Sequence, residues 1–97
     1  MTPATTHHNW MYGKALYLEV RDTVLTSTVP LSNLDIRRVL VVKHSYNGTP
    51  AAMSDLYERI SRTTNQLHLD GYLDRTTVPA KNRNPKYVYT PKHPTAC

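Results

Sequence analysis

Six side chains on one short stretch carry most of the hydrogen-bonding chemistry in this sequence: Arg59, Ser61, Arg62, Thr63, Asn65 and Gln66. The chemistry is recognition rather than bond making. A guanidinium matches the paired acceptors on the major-groove edge of guanine, and a carboxamide matches the donor and acceptor of adenine. A threonine methyl suits the thymine methyl, and Arg59 can reach a phosphate. Spacings of three and four keep Arg62, Asn65 and Gln66 near one surface of a helix. The plainer account is a solvated helix face, because Arg, Asn, Gln and Thr are all common there. Against it stands the near absence of the Glu/Lys pairs that usually decorate an idle helix.

A second polar cluster follows, with Arg75, Lys81, Asn82, Arg83, Asn84 and Lys86 around a stretch punctuated by Pro79 and Pro85. Long cationic side chains on a protruding loop can lie along phosphates or enter an A·T-rich minor groove. A charged loop is also an ordinary way to keep a hairpin soluble. The charge balance adds to the first account. Residues 1–58 carry five Lys/Arg and five Asp/Glu, whereas residues 59–97 carry seven against two, so the whole net charge of +5 lies in the second part. Such asymmetry points to a polyanion, with a phosphate backbone the obvious one.

Enzyme chemistry finds no support. There is no Ser/His/Asp or Cys/His constellation, no pair of carboxylates in an apolar surround and no Gly-rich phosphate loop. Cys97 is the one cysteine, so no internal disulfide can form, and no Cys/His spacing resembles a zinc site. His7 and His8 could capture a stray metal, but no physiological metal or cofactor is expected. His68 is expected to be satisfied or exposed rather than catalytic. Tyr87 and Tyr89 are expected to pack on the helices, with stacking on bases of a single strand as their other role. No apolar run approaches the roughly 18 residues of a membrane helix. The first residues lack the layout of a signal peptide, so a cytoplasmic location is expected, in a host cell if the protein is viral.

Positioning these clusters needs one helix and one hairpin. The apolar positions Leu56, Ile60, Thr63/Thr64 and Leu67, with Leu69 after them, predict a helix from Ser54 to Asp70. A competing division puts a helix over 50–59, a turn near Ser61 and a recognition helix after it; the unbroken stripe and the lack of glycine favour the single helix. Gly71 is expected to end it with positive φ. Tyr72 to Arg75 and Lys86 to Thr90 then form two strands. Upstream, Ser32 is a good N-cap, and Ile36, Val39, Leu40 and Val42 mark a core helix over 33–43 with Arg37 and Arg38 outward. Residues 44–50 read as a loop. Tyr12, Leu16, Val20 and Val24 align at steps of four, which favours a helix over a hairpin in this first segment. With Trp10 they are assigned to a dimer contact.

The run Ile60-Ser61-Arg62 through Leu67, followed by Gly71-Tyr72-Leu73-Asp74-Arg75, resembles the recognition helix and first wing strand of MarR- and PadR-like winged-helix repressors. Lys86-Tyr87-Val88-Tyr89-Thr90-Pro91 is similar to their second wing strand, and 33–43 to the first helix of their DNA-binding unit. The resemblance spans about residues 31–91 and departs in length: from Gly48 to Gly71 this chain is about a turn shorter than a positioning helix, turn and recognition helix together. It implies an α+β fold, a winged helix-turn-helix of about three or four helices plus a C-terminal β-hairpin wing. In this division 1–10 is a mobile N-terminal tail, 11–91 the winged-helix domain and 92–97 a loose tail. Within the domain, 11–29 is the dimerisation segment and 31–91 the DNA-binding unit. The expected function is a homodimeric regulator of transcription, a repressor, bound to double-stranded DNA at half-sites about one helical turn apart. Its small size suggests a viral or mobile-element protein. The rival is a winged-helix adaptor that docks on an acidic protein partner.

Overall fold

The structure, a computed structural model, describes residues 9–79 and 86–92. A short 3-10 turn, Asn9–Met11, leads into helix α1, Gly13–Leu25. Strand β1 is Leu31–Ser32, helix α2 is Asn33–Lys43 and helix α3 is Pro50–Leu69. Strands β2, Leu73–Val78, and β3, Lys86–Pro91, complete the chain. The three strands form one antiparallel sheet in the order β1-β3-β2. Leu31 sits opposite Tyr89, and the hairpin register runs from Leu73 opposite Pro91 to Val78 opposite Lys86. Three helices and a terminal β-hairpin give the α+β, winged-helix arrangement that the sequence implies.

Local chemistry explains the boundaries. At the start of α2, Ser32 and Asp35 form a reciprocal capping box: the Ser32 hydroxyl accepts from the Asp35 N–H at 3.2 Å, and the Asp35 carboxylate accepts from the Ser32 N–H at 3.1 Å. The hydroxyl of Thr49 caps α3 by accepting from Ala52 N–H at 3.2 Å, with Pro50 in the first turn where its missing N–H has no consequence. Helix α3 then runs without a break for 20 residues. The unbroken stripe explains this: Leu56, Ile60, Thr64 and Leu67 are all buried, so a turn near Ser61 would expose half of them. The helix begins at Pro50 rather than Ser54. It ends in a Schellman motif, with Gly71 at φ +88° and Tyr72 N–H donating to Leu67 carbonyl at 3.0 Å. Helix α2 ends the same way, but there the left-handed residue is Ser45, at φ +49°.

The core joins Leu16, Val20 and Val24 of α1 to Ile36 and Leu40 of α2, to the α3 stripe, and to Leu31, Leu73 and Tyr89 of the sheet. This corrects several expectations. Leu16, Val20 and Val24 face α2 and α3 inside the protomer, so they cannot form a dimer surface, and α1 is an integral first helix rather than an appended segment. Trp10 is buried, stacked on His44 with ring centroids 4.3 Å apart, so this residue of the expected tail belongs to the packed domain. Of the predicted core positions on α2, Val39 and Val42 point outward, at 44% and 77% exposure. Leu69 is exposed as well, since it lies on the far side of α3 from Leu67. Lys92 N–H donates to Tyr72 carbonyl at 3.0 Å, so order persists one residue into the expected tail.

Candidate nucleic-acid interface

Helix geometry divides the six side chains of α3 into three groups. With the core stripe facing inward, a rotation of about 100° per residue puts Arg62 and Asn65 on the outer crest. Ser61 leans toward the hairpin, while Arg59, Thr63 and Gln66 lean toward α1. Contacts agree with this division. The Arg59 guanidinium lies 4.4 Å from the ring centroid of Tyr12 ahead of α1. The Thr63 hydroxyl donates back to Arg59 carbonyl at 2.7 Å, and Gln66 donates to Asp70 at 2.8 Å. Tyr12, the exposed member of the expected dimer set, thus serves as a platform for Arg59.

The crest is less idle than its composition suggests. Arg62 faces Glu58 at 3.7 Å, an i,i+4 pair, and Asn65 accepts from Arg75 of β2 at 3.1 Å. Both contacts are solvated. An exposed helical pair stabilises by only about 0.3–0.5 kcal/mol, whereas a good bidentate base contact discriminates by about 1–3 kcal/mol. Exchange of the former for the latter is favourable. These intramolecular pairs therefore hold Arg62 and Asn65 in place without removing them from use.

Toward the hairpin, a groove of about 400 Å³ is lined by Tyr57 and Ser61 of α3, Lys86 and Tyr87 of β3, and Ser32, Asn33 and Leu34. The two tyrosines are 39% and 47% exposed. Each carries an arginine: Arg75 lies 4.7 Å from the Tyr87 centroid and Arg37 lies 5.9 Å from that of Tyr57. Arg37 also donates to Met53 carbonyl at 3.2 Å, so it braces α2 on α3 instead of facing water. Tyr87 and Tyr89 share a strand face but not a fate. Tyr89 is buried in the core, and Tyr87, two residues nearer the loop, borders the groove. Tyr57 was not evident in the sequence, although its place next to Leu56 puts it outside the apolar stripe.

On the opposite flank, Tyr17 of α1 donates to the Asp70 carboxylate at 2.5 Å and meets the Tyr72 ring edge-on at 6.4 Å. Desolvation, together with the bond to Asp70, pushes the Tyr17 hydroxyl up to about 12. The same bond, with that from Gln66, holds the Asp70 carboxyl below its ordinary value. His68 is satisfied: its Nδ1 donates to Leu73 carbonyl at 2.9 Å.

The electrostatics place the positive field beside α3 rather than on it. The helix carries Asp55 and Glu58 against Arg59 and Arg62. Arg37 on α2, and Arg75 and Lys86 on the hairpin, flank it, while Arg38 lies on the outer face of α2 with Val39 and Val42. Lys81, Asn82, Arg83 and Asn84 lie outside the described residues. Among the described residues no cluster of His, Cys, Asp and Glu could hold a metal ion, and none of the described helices is long and apolar enough to cross a membrane.

Comparison with protein-family models, curated proteins and solved structures finds no match.

Proposed function

We propose that the protein is a regulator of transcription, a repressor, that binds double-stranded DNA as a homodimer, with α3 in the major groove and the hairpin along the backbone. The observation that carries this reading is the convergence of Ser61 and Asn65 of α3 with Arg75 and Lys86 of the hairpin on one side of the fold, with Arg62 next to them on the crest where it borders the hollow toward α1. Among the described residues no carboxylate lines the groove between them, although the Asp35 carboxylate at the start of α2 lies near enough to Lys86 to be stabilised by it. Asp55 and Glu58 occupy the first half of the crest and repel phosphates. The second half, nearest Arg75, is then the part that approaches the duplex. Base contacts belong to Arg62 and Asn65. Arg59, Thr63 and Gln66, turned toward α1, are left with backbone contacts at most.

A dimer needs a surface other than the buried stripe of α1. The outward valines of α2 supply one: Val39 lines two adjoining hollows, one with Val42, Arg38 and Lys43, the other with Asp22, Thr26 and Leu31. A rim of both signs suits a two-fold contact, in which each patch meets its own copy.

The test is a titration of the purified protein against random duplex and against the promoter region of its own gene, at two salt concentrations. Binding that weakens steeply with salt, prefers one duplex and is lost in folded Arg62→Ala and Asn65→Ala variants is the expected outcome. Absence of binding at low salt would overturn the proposal and leave the basic flank to an acidic protein partner.

A further inference from the structure

We propose that the groove between α3 and the hairpin binds an unpaired nucleotide, its base against Tyr57 and Tyr87 and its phosphate on Lys86. This goes beyond the duplex reading, because a base stacked and paired within a duplex cannot enter a recess beside the helix. The groove has the ingredients of single-strand recognition, which combines a cation for the backbone with aromatic faces on which any base can stack. Tyr57 and Tyr87 stand on opposite walls, one from α3 and one from β3. Both remain exposed in a fold that buries the neighbouring Tyr89.

The arginines fix the rings without filling the space between them. Arg37 and Arg75 lie on their tyrosines at 5.9 and 4.7 Å, yet neither lines the groove. The rings are thus held in orientation before a ligand arrives, which lowers the entropy lost on binding. The volume, about 400 Å³, lies within the range of small-ligand clefts, about 300–1,000 Å³. Ser61 places a hydroxyl on the α3 wall, within reach of a base edge, whereas the buried Asn33 carboxamide accepts from Thr64 behind the groove. Helix α2 contributes no anion site of its own here, because Ser32 and Asp35 already cap its first turn.

The experiment is fluorescence anisotropy with labelled thymidine and uridine oligomers and a labelled duplex, using wild type and Tyr57→Ala, Tyr87→Ala, Tyr87→Phe, Lys86→Ala and Arg62→Ala variants whose folding is checked by circular dichroism. Either oligomer should bind. Each tyrosine-to-alanine change should weaken oligomer binding roughly 5- to 100-fold. Tyr87→Phe, which keeps the ring, should restore it, and Lys86→Ala should reduce its salt dependence. Arg62→Ala should weaken duplex binding more than oligomer binding. Oligomer binding with these losses upholds the groove even if duplex binding fails. Wild type that binds neither oligomer, or folded Tyr57→Ala and Tyr87→Ala variants that bind as tightly as wild type, would overturn it.

Discussion

The hydroxyl of Thr64, in the middle of α3, lies 2.8 Å from Oδ1 of Asn33 in the first turn of α2, and the pair is buried. This bond fixes how α3 rotates about its axis relative to α2, and so which residues reach the crest. Replacing Thr64 with Val keeps the shape and removes the donor. An acceptor left unsatisfied in the interior costs about 1–3 kcal/mol. For a domain of this size that lowers the melting temperature by roughly 4–8 °C per kcal/mol. Thermal denaturation of Thr64→Val checks this, and an unchanged midpoint would mean that the bond contributes nothing.

The Arg75–Asn65 contact predicts a separation of stability from binding. It is exposed, so Arg75→Ala should alter stability by no more than about 0.5 kcal/mol. Duplex affinity should nevertheless fall, with the salt slope reduced by about one, as expected for loss of one phosphate contact. Chemical denaturation and anisotropy titration on the same sample measure both.

Ser45 holds a left-handed backbone conformation at φ +49° to end α2. That conformation is strained by about 1–2 kcal/mol for residues with a Cβ and is free for glycine. Part of the gain is offset by the greater freedom of glycine in the unfolded chain. Ser45→Gly should therefore stabilise the fold by about 0.5–1 kcal/mol. A lowered denaturation midpoint would contradict this.

Besides Asp70, held low by Tyr17 and Gln66, two carboxylates link stability to pH. Burial works against ionisation of Glu19, but hydrogen bonds from Lys43 and His44 outweigh it and hold the carboxyl below its ordinary 4.5. The Ser32 backbone N–H holds Asp35 below its ordinary 3.8. Both are more acidic folded than unfolded. Their contribution is complete above those ordinary values and is lost as pH falls through the folded ones. Unfolding free energy should hold from neutrality to about pH 5 and decline below it, less steeply in Glu19→Gln. A decline of equal slope in that variant would remove Glu19 from the account.

The outward valines predict an effect on assembly alone. Val42→Asp should leave the far-ultraviolet spectrum unchanged, because Val42 is not in the core, and should shift sedimentation from dimer to monomer. Wild type that sediments as a monomer at high concentration would dispose of the dimer.

The core of α3 was readable because Leu56, Ile60, Thr64 and Leu67 repeat with the period of a helix, and a buried stripe needs nothing else. The same logic read α1 correctly as a helix and misassigned its surface, since periodicity says that a face is covered but not by what. Val39 and Val42 show the converse: apolar residues in phase with a helix, but outside the arc that reaches Ile36 and Leu40. Strand β1 escaped notice because two residues carry no alternation, and Leu31 becomes a strand only by pairing with Tyr89. Arg75 was expected in the wing, but its hold on Asn65 depends on how the hairpin returns against α3. Tyr57 and Tyr87 form a groove for the same tertiary reason.

The central position of β3 bears on how the protein is made. Residues 86–91 pair with β2 just before them and with β1, whose Leu31 is far back in the sequence. A nascent chain emerging from the ribosome can form its helices early, but it cannot join the two outer strands until their common neighbour emerges. Until then Leu31 and Leu73 lack Tyr89, and the sheet side of the core stays open to water. Completion of the fold is thus timed by the last strand to be synthesised among the described residues, and a chain cut short before Lys86 loses all three strands at once.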